Sequence, residues 1–324
     1  MKLRTQIEIT PLRERIQYAD RIFTIGSCFA QNIGARVARA KFRTTINPTG
    51  TLFNPLSICD TITRLCDRRR VDVDELREGA GGWYHYDMHS SLNESSPQQA
   101  AATINLAIDR GGAALESAQW VVITLGTAWV YERIDTGEVV ANCHKEPARN
   151  FRRRQATLEE IVERLDQTIG RHLSDKRIIL TLSPIRHVSD GLEQNSLSKA
   201  TLRIAIDQVV ARDPQRRFYL PAYEILVDDL RDYRFYADDM VHPSSVAMEY
   251  VWQYFCDVAL GERAKCLLPR VMKIVAASQH RPTNPEGEPH KALCRAQLRA
   301  IEELKEVDMS EESQHFYAQL KINL

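Results

Sequence analysis

The sequence predicts an α/β fold organised around a parallel sheet, on three observations. The segments RIFTIG (21–26), WVVITL (120–125) and RIILTL (177–182) are short, largely apolar runs, the composition of strands covered on both faces. Stretches with helical spacing of apolar residues separate them, and strands that alternate with helices build parallel sheets. Each run also stops at small or turn-forming residues: Gly26-Ser27, Gly126-Thr127 and Ser183-Pro184.

The elements follow in chain order. Residues 21–26 form a strand and Gly26-Ser27 a tight turn. Phe29, Ile33 and Val37 then mark one face of a helix. NPTGTLFNPLS (47–57) holds two Asn-Pro pairs and a Gly, so it reads as a loop. A helix is expected over 57–78, a Gly-rich aromatic loop or hairpin over 79–92, and a helix over 96–114. After the strand 120–125, residues 128–150 read as a hairpin turning at Asp135-Thr136-Gly137. Residues 157–174 form an amphipathic helix, 177–182 a buried strand, 193–212 a helix and 217–220 a short strand. A mostly apolar helix is expected over 243–260, with Pro243 in its first turn. Residues 281–289 make a linker or turn, and polar helices fill 290–307 and 310–321. No domain boundary is visible before residue 262. Residues 1–262 therefore read as one α/β domain and 263–324 as a helical extension packed on it.

Composition narrows the function. Hydrophobic residues make up 44% and charged residues 27%, an ordinary globular balance. Lys+Arg and Asp+Glu both total 43, so there is no excess charge to coat nucleic acid or an anionic membrane surface. Seven dispersed cysteines with no C-x-x-C pair argue against a disulfide scaffold and against a four-cysteine zinc site. The N-terminal MKLRTQIEITPLRERI lacks the apolar core of a signal peptide, and no stretch reaches the roughly 18 apolar residues of a membrane span. A reduced, cytoplasmic protein is expected, with no nucleic-acid or membrane partner and no metal. Nothing in the sequence sets its oligomeric state.

Ligands of open parallel sheets bind outside the carboxyl ends of the strands. The chemistry-bearing residues near those ends are few. Asp239 and His242 lie three apart in YADDMVHPSS, so the carboxylate can reach the imidazole and fix its tautomer, as a catalytic base requires. A bare D-x-x-H is more often a capping Asp beside a surface His. Ser27 and Cys28 open a helix after Gly26. There the unpaired N–H groups can hold an oxyanion and the helix dipole can lower a thiol pKa. The alternative is a capping Ser followed by an inert, buried Cys. Asn142-Cys143-His144-Lys145 is either a second reactive cluster or structural. His187, just past Ser183-Pro184, is as readily a pocket residue as a surface one. The Trp83–His89 segment lines a pocket or packs on the core. Arg152, Arg153 and Arg154 form a solvated face or an anion grip. The sequence has no G-x-x-x-x-G-K-[ST], G-x-G-x-x-G or H-E-x-x-H motif.

These separate signals line up in one resemblance. Gly26-Ser27-Cys28-Phe29-Ala30 is similar to the signature of the GSCFA family. Further blocks resemble it as well: Asn47-Pro48, Gly50 to Ser57, Leu125-Gly126-Thr127, Asn142 to Lys145, Ser183-Pro184, Ser198-Lys199, Asp239 to Pro243 and His280-Arg281-Pro282. That family resembles the SGNH, or GDSL-like, hydrolases. The resemblance implies a three-layer α/β/α flavodoxin-like fold, a nucleophile after the first strand, and a late D-x-x-H completing a triad, here Asp239 and His242. Laying G-S-C on G-D-S makes Cys28 the implied nucleophile, preferred over Ser27. Gly50 would offer an N–H to the oxyanion. The third block, normally G-x-N-D, reads Gly126-Thr127-Ala128-Trp129 and lacks the oxyanion Asn. Thr127, Asn54 or Asn142 would have to stand in.

Two functions are weighed. The first is an esterase, deacylase or acyltransferase on a glycan or small metabolite, working through an acyl-enzyme. It needs no cofactor, although CoA or another acyl donor would suit Arg152, Arg153, Arg154 and Arg186. The second is a non-catalytic binding module for a glycan or protein partner.

Overall fold

The computed structural model describes residues 4–321. Five parallel strands form the central sheet: β1 (Arg21–Gly26), β2 (Arg43–Ile46), β3 (Trp120–Leu125), β4 (Arg177–Leu182) and β5 (Arg217–Leu220). Their spatial order is β5-β4-β3-β1-β2, with Ile22 opposite Trp120 and Val121 opposite Ile178. This is the doubly wound 2-1-3-4-5 order of flavodoxin-like sheets, whose ligands bind beyond the carboxyl ends near β1 and β3.

Side chains alternate faces along each strand, and each face feeds its own core. Ile22, Trp120, Val122 and Ile179 join one apolar cluster with helices α1 (Cys28–Arg39), α6 (Ser245–Ala259) and α7 (Glu262–Ser278). Phe23, Ile25, Val121, Ile123 and Leu180 join the other with α2 (Pro55–Cys66), α3 (Pro97–Ser117), α4 (Leu158–His172) and α5 (Leu192–Arg212). Each of these buried aliphatic side chains contributes about 2 kcal/mol. The result is a three-layer α/β/α sandwich, as the composition of the strands requires. Caps set the helix starts: Ser27, Asn54, Ser96, Thr157 and Ser244 each accept a backbone N–H of the first turn.

The extension continues one of these cores. Cys294 of α8 (Glu288–Glu302), Leu304, Val307, Met309 and Phe316 of α9 (Ser310–Gln319) pack into the cluster of α1, α6 and α7. Lys41, just past α1, pairs with Glu311 and Glu312 at 2.7 and 2.6 Å. Among the described residues no helix is long and apolar enough to cross a membrane.

Two expectations need correction, one element gains a strand and another went unseen. The helix expected over 57–78 ends at Cys66, because Arg68 turns into the left-handed region (φ +51°) and donates to the Asp109 carbonyl of α3. The hairpin expected over 128–150 forms, Trp129–Arg133 pairing antiparallel with Val139–Val140, and a third strand, Phe151–Gln155, joins its other edge. Arg152 and Arg154 there grip the buried Glu132 across the strands, a long-range pairing that the local pattern hides. The edge strand β2, RTTI, went unseen because an exposed edge needs no apolar run. Pro243 lies before α6 and bridges to Tyr236.

Candidate functional site

The carboxyl edge of β1 and β3 is knitted by backbone hydrogen bonds from three segments distant in sequence. Gly26 N–H donates to Asn47 Oδ1 at 2.9 Å, and Asn47 N–H to Thr24 O at 2.9 Å. Leu52 N–H donates to Gly26 O at 2.9 Å, and Ser27 N–H to Thr124 O at 3.3 Å. The N–H groups of Gly126 and Thr127 both donate to Phe53 O, at 2.8 and 3.0 Å. Gly26 has φ +134°, and a Cβ there would collide with the Thr124 carbonyl. Gly126 has no room either, since a Cβ would sit 2.9 Å from Phe53 O and 3.4 Å from Ser27 Cβ. Glycine at both positions lets β1, β3 and the 50–54 segment close to backbone contact.

Ser27 is the N-cap of α1. Its Oγ accepts the Phe29 N–H at 3.3 Å and the residue is 2% exposed. Cys28 is the first helical residue, half-buried, with its side chain against the α1/α6/α7 core. Burial pushes its thiol pKa up, and the backbone hydrogen bond at its own N–H only partly offsets this. This direction runs against the expectation that the helix terminus lowers the thiol pKa.

Asp239 and His242 do come together. They sit at the tip of a turn closed by Ala237 N–H to His242 O (2.7 Å) and Ser244 N–H to Phe235 O (2.8 Å). Asp239 Oδ1 accepts the N–H groups of Val241 and His242, both at 2.9 Å, and Oδ2 lies 2.6 Å from His242 Nδ1. These bonds, the backbone ones first, bring the Asp239 pKa down to about 2. The carboxylate partner favours the tautomer with the proton on Nδ1, which leaves Nε2 as the ring acceptor. Both side chains are about half exposed, at 49% and 46%.

A trail of contacts joins this turn to the knitted edge. Arg186, after β4, donates its N–H to Val241 O at 3.3 Å and lays its guanidinium 4.0 Å from the centroid of the Tyr236 ring. The neighbouring His187 packs edge-on against Phe53, with centroids 6.0 Å apart. The same Phe53 carries the carbonyl held by Gly126 and Thr127.

The implied oxyanion donors fare less well. The Gly50 N–H is committed to Asn47 O at 2.8 Å, closing a turn, so Gly50 is not a donor to the site; its φ of +89° lets it lie under His89. Asn54 caps α2, its Oδ1 accepting Ser57 N–H and its Nδ2 donating to Ser57 Oγ. Thr127 Oγ1 meets Ser198 Oγ at 3.2 Å and accepts Trp129 N–H at 3.1 Å. Asn142 and His144 sit against the 84–89 segment, whose His89 packs on Gly50 and donates its N–H to Thr49 O. Asn142 Oδ1 accepts the His144 N–H, and His144 stacks on Tyr84, its Nε2 3.0 Å from His85 O. Burial lowers the His144 pKa. The candidate basic contacts for an acyl donor are also engaged. Arg152 and Arg154 pair with Glu132, and Arg153 lies 4.1 Å over the Trp129 ring.

Two more features stand out, one at the Trp83–His89 segment and one at the Ser198-Lys199 block. One is a cavity of about 1010 Å³ between α2, α4 and the antiparallel sheet, lined by Asp60, Arg64, His85, Asp87, Arg133 and Arg164 among others, but by none of Ser27, Cys28, Asp239 or His242. The other is Lys199, 2% exposed, whose Nζ donates to Gly126 O at 2.6 Å and Ser183 O at 2.7 Å. Its signal was its place on the Asn195, Leu202, Ile206 face of α5, the face turned to the sheet. Among the described residues no group of three His, Cys, Asp or Glu side chains is arranged to hold a metal.

No curated protein matches the sequence. Residues 21–255 match the GSCFA family, and residues 271–322 match the C-terminal domain of GSCFA domain proteins. The first match spans the sheet, the Ser27-Cys28 turn and the Asp239–His242 pair, and the second covers the helices that complete the α1 core. The chain belongs to the GSCFA family.

Proposed function

We propose that the protein performs acyl-ester or thioester chemistry through an acyl-enzyme, with His242 as base, Asp239 as its orienting partner and Cys28 as nucleophile. The observation that carries this reading is the Asp239–His242 pair, fixed by three hydrogen bonds at an exposed turn next to the carboxyl edge. A carboxylate that locks the tautomer and supports the imidazolium is what general-base catalysis needs. The likeness of the GSCFA signature to SGNH hydrolases supports the same roles. Cys28 is preferred over Ser27 because the serine is almost fully buried and its oxygen is occupied as a cap.

In the reaction His242 Nε2 takes the Cys28 thiol proton as sulfur attacks the acyl carbonyl. The Cys28 N–H at the start of α1 faces the developing oxyanion, the following N–H groups being engaged with Ser27. The tetrahedral intermediate collapses to a thioester, and the imidazolium returns the proton to the departing alcohol or thiol. Water or a second acceptor then attacks the thioester, with His242 again taking a proton. Water as acceptor gives hydrolysis, and an alcohol or amine gives transfer.

A second reading has its own support. The burial of Ser27 and Cys28, together with a large cavity away from the His242 turn, favours a non-catalytic module that seats a polar ligand such as a glycan. Iodoacetamide and a fluorophosphonate, offered separately near neutral pH and read by intact mass and peptide mapping, decide between them. Labelling at Cys28 that disappears in His242→Ala supports the acyl-enzyme. Labelling at Ser27 moves the nucleophile to the serine. Absence of selective labelling at both leaves the binding module.

A further inference from the structure

Helix α5 is built inside out at its beginning. It buries Asn195, Ser198 and Lys199 while exposing Leu192, Leu197 and Ile204. Each of the three buried polar residues reaches a loop at the carboxyl edge. Asn195 Oδ1 accepts the His187 N–H at 2.9 Å. Ser198 Oγ accepts the Ala128 N–H at 2.8 Å and meets Thr127 Oγ1. Lys199 Nζ bridges the carbonyls of Gly126 and Ser183, the residues that follow β3 and β4. Among the described residues no carboxylate pairs with this ammonium.

A buried cation without a counter-charge is costly, and an apolar side chain of the same length would serve a purely structural core better. Such groups concentrate where a site must be held in one geometry. Gly126 is the residue to hold. Its carbonyl is fixed by Lys199, its N–H fixes Phe53 O, and its α-carbon lies against the Ser27 side chain.

We infer that Lys199 is a positioning residue. With Ser198 it locks the Gly126–Ala128 turn to the end of β4, and so sets the wall against which the Ser27-Cys28 turn presents its nucleophile. The inference rests on the acyl-chemistry reading for its catalytic consequence, but not for its structural one.

Two readouts test it on Lys199→Met and Ser198→Ala. The first is amide hydrogen exchange at Gly126 and Thr127. The second is the rate of His242-dependent labelling at Cys28 by iodoacetamide, with p-nitrophenyl acetate turnover measured beside it. Both variants are expected to exchange these two amides faster while distant strand amides keep their protection. Labelling and kcat are expected to fall between about tenfold and about a hundredfold with KM little changed, as for a misplaced rather than a missing catalytic group. Unchanged exchange at Gly126 and Thr127 in both variants overturns the inference. So does a fall in labelling that merely follows the unfolded fraction. Should Lys199→Met fail to fold, Ser198→Ala carries the test by the same two readouts. If the wild type shows no His242-dependent labelling, the acyl-enzyme reading fails, and the exchange measurement alone still decides the role of Lys199.

Discussion

Asp239 holds His242 twice: Oδ2 lies 2.6 Å from the ring Nδ1, and Oδ1 accepts the backbone N–H of the same histidine at 2.9 Å. The side chain that orients the imidazole thus also shapes the turn that carries it. Asp239→Asn keeps the shape of the side chain but loses the charge that fixes the Nδ1–H tautomer. It is expected to abolish His242-dependent labelling at Cys28, as His242→Ala does. Both variants should melt close to the wild type, since the two side chains are about half exposed. Labelling at the wild-type rate in either variant would remove the pair from the mechanism.

The acid limb has a sign. The folded pKa of Asp239 is about 2, below the unfolded carboxylate value of about 3.9. Its contribution is present above the unfolded value and is lost as pH falls through about 2. The turn should therefore stay intact at about pH 4, and an NMR titration should show the His242 backbone amide moving only below that.

Ser27 separates capping from chemistry. Ser27→Ala removes the acceptor for Phe29 N–H and should cost about 1 kcal/mol in urea unfolding. Iodoacetamide labelling at Cys28 should persist. Loss of all labelling with an unchanged unfolding midpoint would instead mark Ser27 as the nucleophile.

Burial raises the pKa of the Cys28 thiol. Its alkylation should climb with pH past the ordinary thiol range of about 8.5. His242→Ala should slow it near neutrality, where the imidazole takes the proton, and leave it unaltered in alkali, where hydroxide does. A plateau beginning below neutral pH would show a preformed thiolate and contradict this account.

Lys199 gives a stability signature of its own. Burial brings its pKa down to about 7, whereas the unfolded chain holds that proton up to about 10.4. Between those values the unfolded state binds more protons, so this group makes stability rise with pH, by at most about 1.4 kcal/mol per pH unit. Other titrations are shared by wild type and variant. The stability of Lys199→Met relative to wild type should therefore fall between about pH 7 and about pH 8.5 in urea unfolding. Parallel pH dependences in the two proteins would show that Lys199 keeps its proton throughout.

Glycine geometry makes the bluntest prediction. At Gly26 the φ of +134° and the Thr124 carbonyl exclude any Cβ. Gly26→Ala should destabilise the protein by about 2 kcal/mol or more, because conformational strain and a backbone clash add. A melting temperature equal to wild type would mean that the β1–β3 closure is looser than described.

Much of the molecule is legible in local pattern. RIFTIG, WVVITL and RIILTL announce buried strands, and Gly26, Gly126 and Ser183 announce where they stop. The Asp239–His242 contact is legible too, since three residues on a turn suffice to close it. What escaped depends on partners far away in sequence. The exposed edge strand RTTI gains its place by pairing with β1, and the arginine strand 151–155 gains its place by neutralising Glu132. Gly50, implied as an oxyanion donor, spends its N–H on Asn47, which no motif can reveal.

The α/β class, the family signature and the Asp239–His242 contact follow from the residues alone, because apolar periodicity, glycine at turns and short spacings act locally. The tertiary structure alone decided the state of the groups. Burial against the α1/α6/α7 core raised the Cys28 thiol pKa, the cap bond occupied Ser27, and α5 brought Lys199 under Gly126. The physical reason is desolvation. The pKa of a thiol or an ammonium follows the water that packing removes from it, and packing is set by contacts across the whole chain.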